Sequence, residues 1–229
     1  MALLLNIDTA TEYAGVCLSN NGQILAMEES ADQKNHASFV QPAIKRVMAV
    51  AGQRLSAIDA VAVTGGPGSY TGLRVGLSSA KGLCYALNKP LIMVNTLEVM
   101  ALASINEWQK CPKSAQNTLF CPMIDARRME VFTALYDKEL NPVLPPTAMV
   151  IDAASFYAEL EDNVVVFTGS GSDKSQIIKH QNAVFLQNKY SVASLAKLAG
   201  LYYTASNFAN LAYSEPFYLK EFYKHVKKN

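Results

Sequence analysis

Metal-ligand spacing is missing from this sequence. Its three histidines, His36, His180 and His225, stand in separate segments with no His-Glu-x-x-His, and its four cysteines, Cys17, Cys84, Cys111 and Cys121, include no Cys-x-x-Cys. A zinc peptidase is therefore not expected, no metal residue is assigned, and the cysteines read as reduced thiols of a cytoplasmic protein. Charge is scarce as well: Asp, Glu, Lys and Arg make up 17% of the residues, 20 basic against 19 acidic. A net charge of +1 supplies no field to hold a polyanion unaided, so nucleic acid is not expected as a direct partner. No apolar run approaches the roughly 18 residues of a membrane span, and residues 1–8 lack the basic start of a signal peptide. What the chain has instead is apolar bulk, 50% of 229 residues, enough for one large domain or two small lobes.

Organisation follows from periodicity and turn chemistry. Residues 3–8 form an apolar run closed by Asp8, and 14–19 and 23–27 flank Asn20-Asn21-Gly22, a hairpin signal because a type I′ turn needs positive φ at both central residues. A helix is expected over 36–51, kinked by Pro42, with apolar residues at three- and four-residue steps. A buried strand (60–64), a glycine-rich loop (65–72), a helix (71–87), a strand (91–95) and another helix (96–108) complete a first half. After a polar linker (109–117) the pattern restarts: strands at 119–124 and 130–136, a Pro-rich crossing at Pro142, Pro145 and Pro146, a helix over 153–160, a strand at 164–168, Gly169-Ser170-Gly171, a strand at 183–186 and a last helix over 192–204. Residues 220–229 read as a basic tail, with Lys220, Lys224, His225, Lys227 and Lys228 as a solvated end or a contact to RNA phosphates.

This order resembles the actin, hexokinase and heat-shock ATPase superfamily, with its ribonuclease H-like lobes. The resemblance implies a two-lobed α/β fold with a reduced second lobe, the first over 1–108 and the second over 109–229, the last helix and tail packing back on the first. It also implies a phosphate hairpin at Asp8, Thr9 and Thr11, a second at Asp125, and an adenosine loop at Gly169 and Gly171. The residues themselves leave Asp8 open between that role and an acid capping its own turn.

The loop Gly65 to Gly72 lies between a strand and a helix, where an anion can bind. It fits no known phosphate cradle: a Walker A loop needs Lys after its last glycine, where Leu73 stands, and a dinucleotide fingerprint loses a donor at Pro67. Ser69 likewise lacks the flanking glycines of a nucleophile elbow. Gly66, Gly68 and Ser69 thus mark either a degenerate phosphate loop or a tight turn. Gly72, Gly76, Ala80 and Cys84 recur every four residues and draw a ridge of small side chains along one helix face. The ridge lies either on the protein's own sheet or on a partner, since Leu73, Leu77, Leu83 and Leu87 can form an internal face.

Gly66-Pro67-Gly68-Ser69-Tyr70-Thr71-Gly72-Leu73-Arg74 with Gly76, Asp8-Thr9-Ala10-Thr11, Ile124-Asp125-Ala126-Arg127 and Pro216-Phe217-Tyr218-Leu219-Lys220 together resemble the TsaB family, across essentially the whole chain. That family supplies a small, glycoprotease-like, non-catalytic subunit of the tRNA threonylcarbamoyladenosine machinery. The resemblance implies a TsaD-like catalytic subunit and a TsaE-like ATPase as partners, a homodimer when alone, tRNA reached only through the complex, no cofactor and no membrane. Where TsaD carries a metal-binding His-x-x-x-His, this chain has Thr96 and Met100, which cannot replace two imidazoles. The implied partner interface combines Phe39, Val40, Ala43 and Val47 with Gly72, Gly76, Ala80 and Cys84. The alternatives are a small-substrate, ATP-dependent phosphotransferase using Asp8 as base and, less favoured, a peptidase.

Overall fold

The computed structural model describes residues 2–32, 35–111, 117–187 and 190–220. A first sheet forms from β1 (Leu3–Asp8), β2 (Ala14–Asn20), β3 (Gln23–Ser30), β4 (Ala60–Gly66) and β5 (Leu91–Asn95), with helices α1 (His36–Val50), α2 (Tyr70–Leu87) and α3 (Thr96–Trp108) between and after its strands. A second sheet forms from β6 (Thr118–Asp125), β7 (Glu130–Tyr136), β8 (Pro142–Val150), β9 (Val164–Thr168) and β10 (Ala183–Phe185), with α4 (Tyr157–Asp162) before β9 and α5 (Val192–Thr204) at the end.

The first sheet has the order β3-β2-β1-β4-β5 and the second, read from its far edge, β8-β7-β6-β9-β10. In each sheet the first three strands are an antiparallel meander and the last two add in parallel. The repeated topology is the two-lobed α/β arrangement expected from the sequence. The second lobe is the slighter: α1 and α2 are 15 and 18 residues long, whereas α4 has six.

Alternation along β1 sorts the core. Leu5 and Ile7 face α1 and α2, joining Val40, Ala43, Ile44, Val47, Leu77 and Ala80. Leu4 faces the other way and joins Leu97, Met100, Leu195 and Ala199 of α3 and α5. The far end of α3, at Ile105 and Trp108, packs on Phe120, Val164 and Val166 of the second sheet. Helix α5, late in the chain, therefore returns to the first sheet, and α3 is shared by both.

The hairpin turn forms as its residues dictate, with Asn21 and Gly22 at φ 49° and 78°. Helix α1 runs through Pro42 without interruption. The Pro-rich stretch is not a crossing but the start of β8, an edge strand, where a missing N–H costs no ladder bond. The expected helix over 153–160 begins later because Phe156 is left-handed at φ 61° and Asp152 caps a turn through Ala154 N–H and the Ser155 hydroxyl. Most of the linker and all of the basic tail beyond Lys220 lie outside the described residues. No helix among the described residues is long and apolar enough to cross a membrane.

Candidate functional site

The end of β1 meets the start of α2 at a turn with little open space. Asp8 is buried, and its carboxylate accepts hydrogen bonds from the Thr64 hydroxyl at 2.9 Å, the Ala10 N–H at 3.0 Å and the hydroxyl of Tyr190. Burial raises its pKa even though all three donors pull the other way. Thr9 donates its hydroxyl to the Gly72 carbonyl at 2.6 Å, and Thr11 accepts from the Tyr13 N–H at 3.3 Å. Both threonines are thus engaged with this chain's own backbone.

The glycines of the next loop allow that turn to come close. A side chain on Gly68 would strike the Ala10 carbonyl oxygen, one on Gly72 the Thr9 carbonyl oxygen, and one on Gly76 the Thr9 hydroxyl. Ser69 donates its N–H to the Ala10 carbonyl at 2.7 Å and caps α2 by accepting from the Gly72 N–H at 3.3 Å. The side of the loop that faces β1 is therefore closed by residues 9 and 10.

The same geometry corrects the interface expected from the sequence. Gly72, Gly76, Ala80 and Cys84 are buried inside this chain, as are Val40, Ala43 and Val47, while Phe39 is half-buried against the same core. The ridge is small because it packs on the chain's own sheet and on Thr9, so the seven buried residues present no surface to another subunit, whereas Phe39 keeps part of its ring exposed. The solvent-facing side of α2 runs instead through Thr71, Arg74, Ser78, Gly82, Tyr85 and Ala86, beside the exposed Ala37, Gln41, Pro42, Lys45 and Ala49 of α1. Gln41 and Ser79 join the two helices through a 3.3 Å hydrogen bond.

Across the interlobe cleft, Asp125 is exposed and pairs with Lys174 at 2.8 Å. Partial burial opposes the shift, but Lys174 and the Arg127 N–H hold its carboxyl below the usual range. Gly169, at φ 87°, lies against Met100 and the Met123 carbonyl, and Gly171 is packed between Val131 and Met123. A cleft of about 390 Å³ lies between Glu12, Thr168, Gly169, Asp173 and Tyr190. A second, of about 560 Å³, lies between Glu12, Ser69, Thr71, Asp125 and Arg127. Thr11, Gly68, Ser69, Asp125 and Gly169 of the residues assigned to a degenerate nucleotide cleft line these spaces, whereas Asp8 is buried and already accepts three hydrogen bonds. Thr96 and Met100 are buried in α3, and among the described residues no three His, Cys, Asp or Glu side chains are grouped to hold a metal. Tyr190, which closes over Asp8, was not legible as a site residue, because it belongs to no motif and is 182 positions away.

The segment after α5 runs along the edge of the first lobe. The Ala209 N–H donates to the Leu91 carbonyl, Lys81 Nζ to the carbonyls of Ala212 and Ser214, and the Phe217 N–H to the Gly65 carbonyl at 2.7 Å. Two motifs far apart in sequence, 66–74 and 216–220, are thus one structural unit.

The model of the TsaD family, tRNA N6-adenosine threonylcarbamoyltransferase, matches residues 23–218. The tRNA threonylcarbamoyladenosine biosynthesis protein TsaB of Escherichia coli is 36% identical over 140 residues, 61% of this chain and 57% of the relative. The Bacillus subtilis protein of the same name is 30% identical over 170 residues, 72% of this chain and 70% of the relative. The chain thus spans little more than half the length of the first of these relatives. Among solved structures, YeaZ from Pseudomonas aeruginosa superposes with a TM-score of 0.79 at 24% identity, covering 96% of this chain and all of that one, a likeness of fold.

Proposed function

The chain belongs to the TsaB family, and we propose that it serves tRNA threonylcarbamoyladenosine synthesis as a non-catalytic subunit that binds and organises the catalytic threonylcarbamoyltransferase. The observation that carries this reading is the outward side of the α1–α2 pair. It is exposed, with small residues at Thr71, Ser78, Gly82 and Ala86 set among the larger Arg74 and Tyr85, and the small positions leave room for close approach by helices of another subunit. The opposite sides of both helices are consumed by the chain's own core. With net charge +1, tRNA is held mainly by the rest of the complex, in the cytoplasm where reduced cysteines persist. A TsaE-like ATPase joins the assembly, and without its partners the same face favours a homodimer.

Co-purification tests the reading. Gly82 has open space around it, so Gly82→Trp is expected to leave the isolated chain folded and no less stable while abolishing capture of the transferase subunit; retained capture argues against this face. The phosphotransferase alternative needs Asp8 as a base, and Asp8 already accepts three hydrogen bonds. Calorimetric titration of the isolated chain with Mg-ATP is expected to show no micromolar binding, and steady ATP turnover lost in Asp8→Ala would favour that alternative instead.

A further inference from the structure

At the start of α2 an arginine is held flat on the surface. The Arg74 guanidinium carbon lies 3.8 Å from the centroid of the Tyr70 ring. Its Nε donates to the Tyr218 hydroxyl at 3.1 Å, and the two tyrosine rings are 5.3 Å apart. Tyr218 is in turn held by the neighbouring Phe217 N–H on the Gly65 carbonyl and by the ion pair of Lys220 with Glu130 of β7. An exposed arginine ordinarily loses rotamer freedom when it binds; stacking and a fixed Nε bond have already imposed much of that order here. With Nε committed to Tyr218 and Tyr70 also interacting with the guanidinium, the outer edge of the fork is the part left to receive an anion.

Charge on the surrounding helices tells which anion. Together α1 and α2 carry Lys45, Arg46, Arg74 and Lys81 and not one Asp or Glu, in a chain whose basic and acidic residues as a whole number 20 and 19. Arg46 is answered by Glu28 at 2.6 Å, whereas Lys81 gives its hydrogen bonds to neutral carbonyls and has no carboxylate partner among the described residues. Beside these cations lie Ser78, Gly82 and Ala86, small positions suited to helix packing, with the exposed ring of Tyr85 at their edge.

We propose that this face docks an acidic helical surface of the partner protein, and that Arg74, positioned by Tyr70 and Tyr218, is the anchor that receives a partner carboxylate. The inference rests on the subunit reading above and adds the chemistry of the partner's face. The Pro216–Lys220 motif acquires a role in it: it builds the anchor of the first motif.

Calorimetry of the full chain with the transferase subunit at low and moderate salt tests it, using Arg74→Gln, Arg74→Lys, Tyr218→Phe and the Arg74→Gln/Tyr218→Phe double variant. Arg74→Gln is expected to weaken binding roughly 30-fold, as truncation of a central interface arginine does, and to flatten the salt dependence. Arg74→Lys recovers little of the loss, because an ammonium neither stacks nor forks. Tyr218→Phe weakens binding in the Arg74 background and has no effect in the Arg74→Gln background, which a merely structural tyrosine would not do. If wild type binds and Arg74→Gln binds as tightly with the same salt slope, the anchor is overturned. If Arg74→Gln spares subunit affinity but lowers tRNA retention by the assembled complex, the arginine serves a phosphate and the proposal is also overturned. Failure of wild type itself to bind overturns the subunit reading together with the anchor.

Discussion

The hydroxyl of Tyr190 donates to the carboxylate of Asp8, 182 residues earlier in the chain. Tyr190 stands two residues before α5, and Asp8 ends the first strand of the first sheet. Their bond seals the turn where the β1–β2 hairpin, the Thr64 hydroxyl and the return of the chain to the first lobe converge. Such a carboxylate is a structural acid: it satisfies three donors instead of presenting oxygens to a ligand.

A pH dependence follows. Burial lifts the Asp8 pKa above its ordinary 3.8, so the folded chain holds this proton more tightly than the unfolded chain does. The contribution of Asp8 to stability therefore declines as pH rises from that ordinary value through the raised one. Asp8→Asn keeps an oxygen for Thr64 and Ala10 and removes the titration; it is expected to change stability at neutral pH by less than about 1 kcal/mol and to flatten that slope. Asp8→Ala strands three donors and is expected to cost about 3 kcal/mol. Urea unfolding at several pH values reads both, and an Asp8→Asn variant with the wild-type slope is the contrary result.

Two glycines of α2 separate its inner and outer sides. A Cβ on Gly76 meets the Thr9 hydroxyl and lies 3.3 Å from Val63 Cγ2, and Thr9 is fixed by its bond to Gly72. Gly76→Ala is therefore expected to destabilise the isolated chain by about 2 kcal/mol through overpacking. At Gly82 nothing lies within 4 Å, and Gly82→Ala is expected to add about 0.5–1 kcal/mol from helix propensity. Thermal unfolding gives the two signs directly; equal effects would mean that α2 is rotated relative to this description.

The element order and the repeat were largely legible in the sequence, because Asn21-Gly22, the apolar run of β1 and the three- and four-residue spacing of α1 are local signals. The direction in which the small ridge of α2 faces was not. Spacing places Gly72, Gly76, Ala80 and Cys84 on one side of a helix, but only the approach of Thr9 shows that this side is inward. The prolines of β8 suggested a loop because local rules do not reveal that a strand lies at an edge. The pairing of Arg74 with Tyr218 and of Asp8 with Tyr190 depends on chain return over more than a hundred residues, beyond any window of periodicity.

A partly buried polar bond joins the helices α3 and α5, and it sets the last expectation. Glu98 of α3 accepts from the Tyr202 hydroxyl of α5 at 2.8 Å, and burial raises the Glu98 pKa while that donor lowers it. Without the hydroxyl, the ionised carboxylate is left half-buried and unanswered, whereas the protonated acid tolerates the loss. Tyr202→Phe is therefore expected to cost about 1–2 kcal/mol at pH 8, with the cost shrinking as pH falls through the raised Glu98 pKa. In a Glu98→Gln background the side chain is neutral throughout, so the cost of Tyr202→Phe should be small and the same at every pH. Denaturant unfolding of the four proteins of this cycle at pH 5 and pH 8 measures the coupling. A cost of Tyr202→Phe that is unchanged between the two pH values in the Glu98 background would show that lost packing of the ring's edge, not the carboxylate, is what the hydroxyl protects.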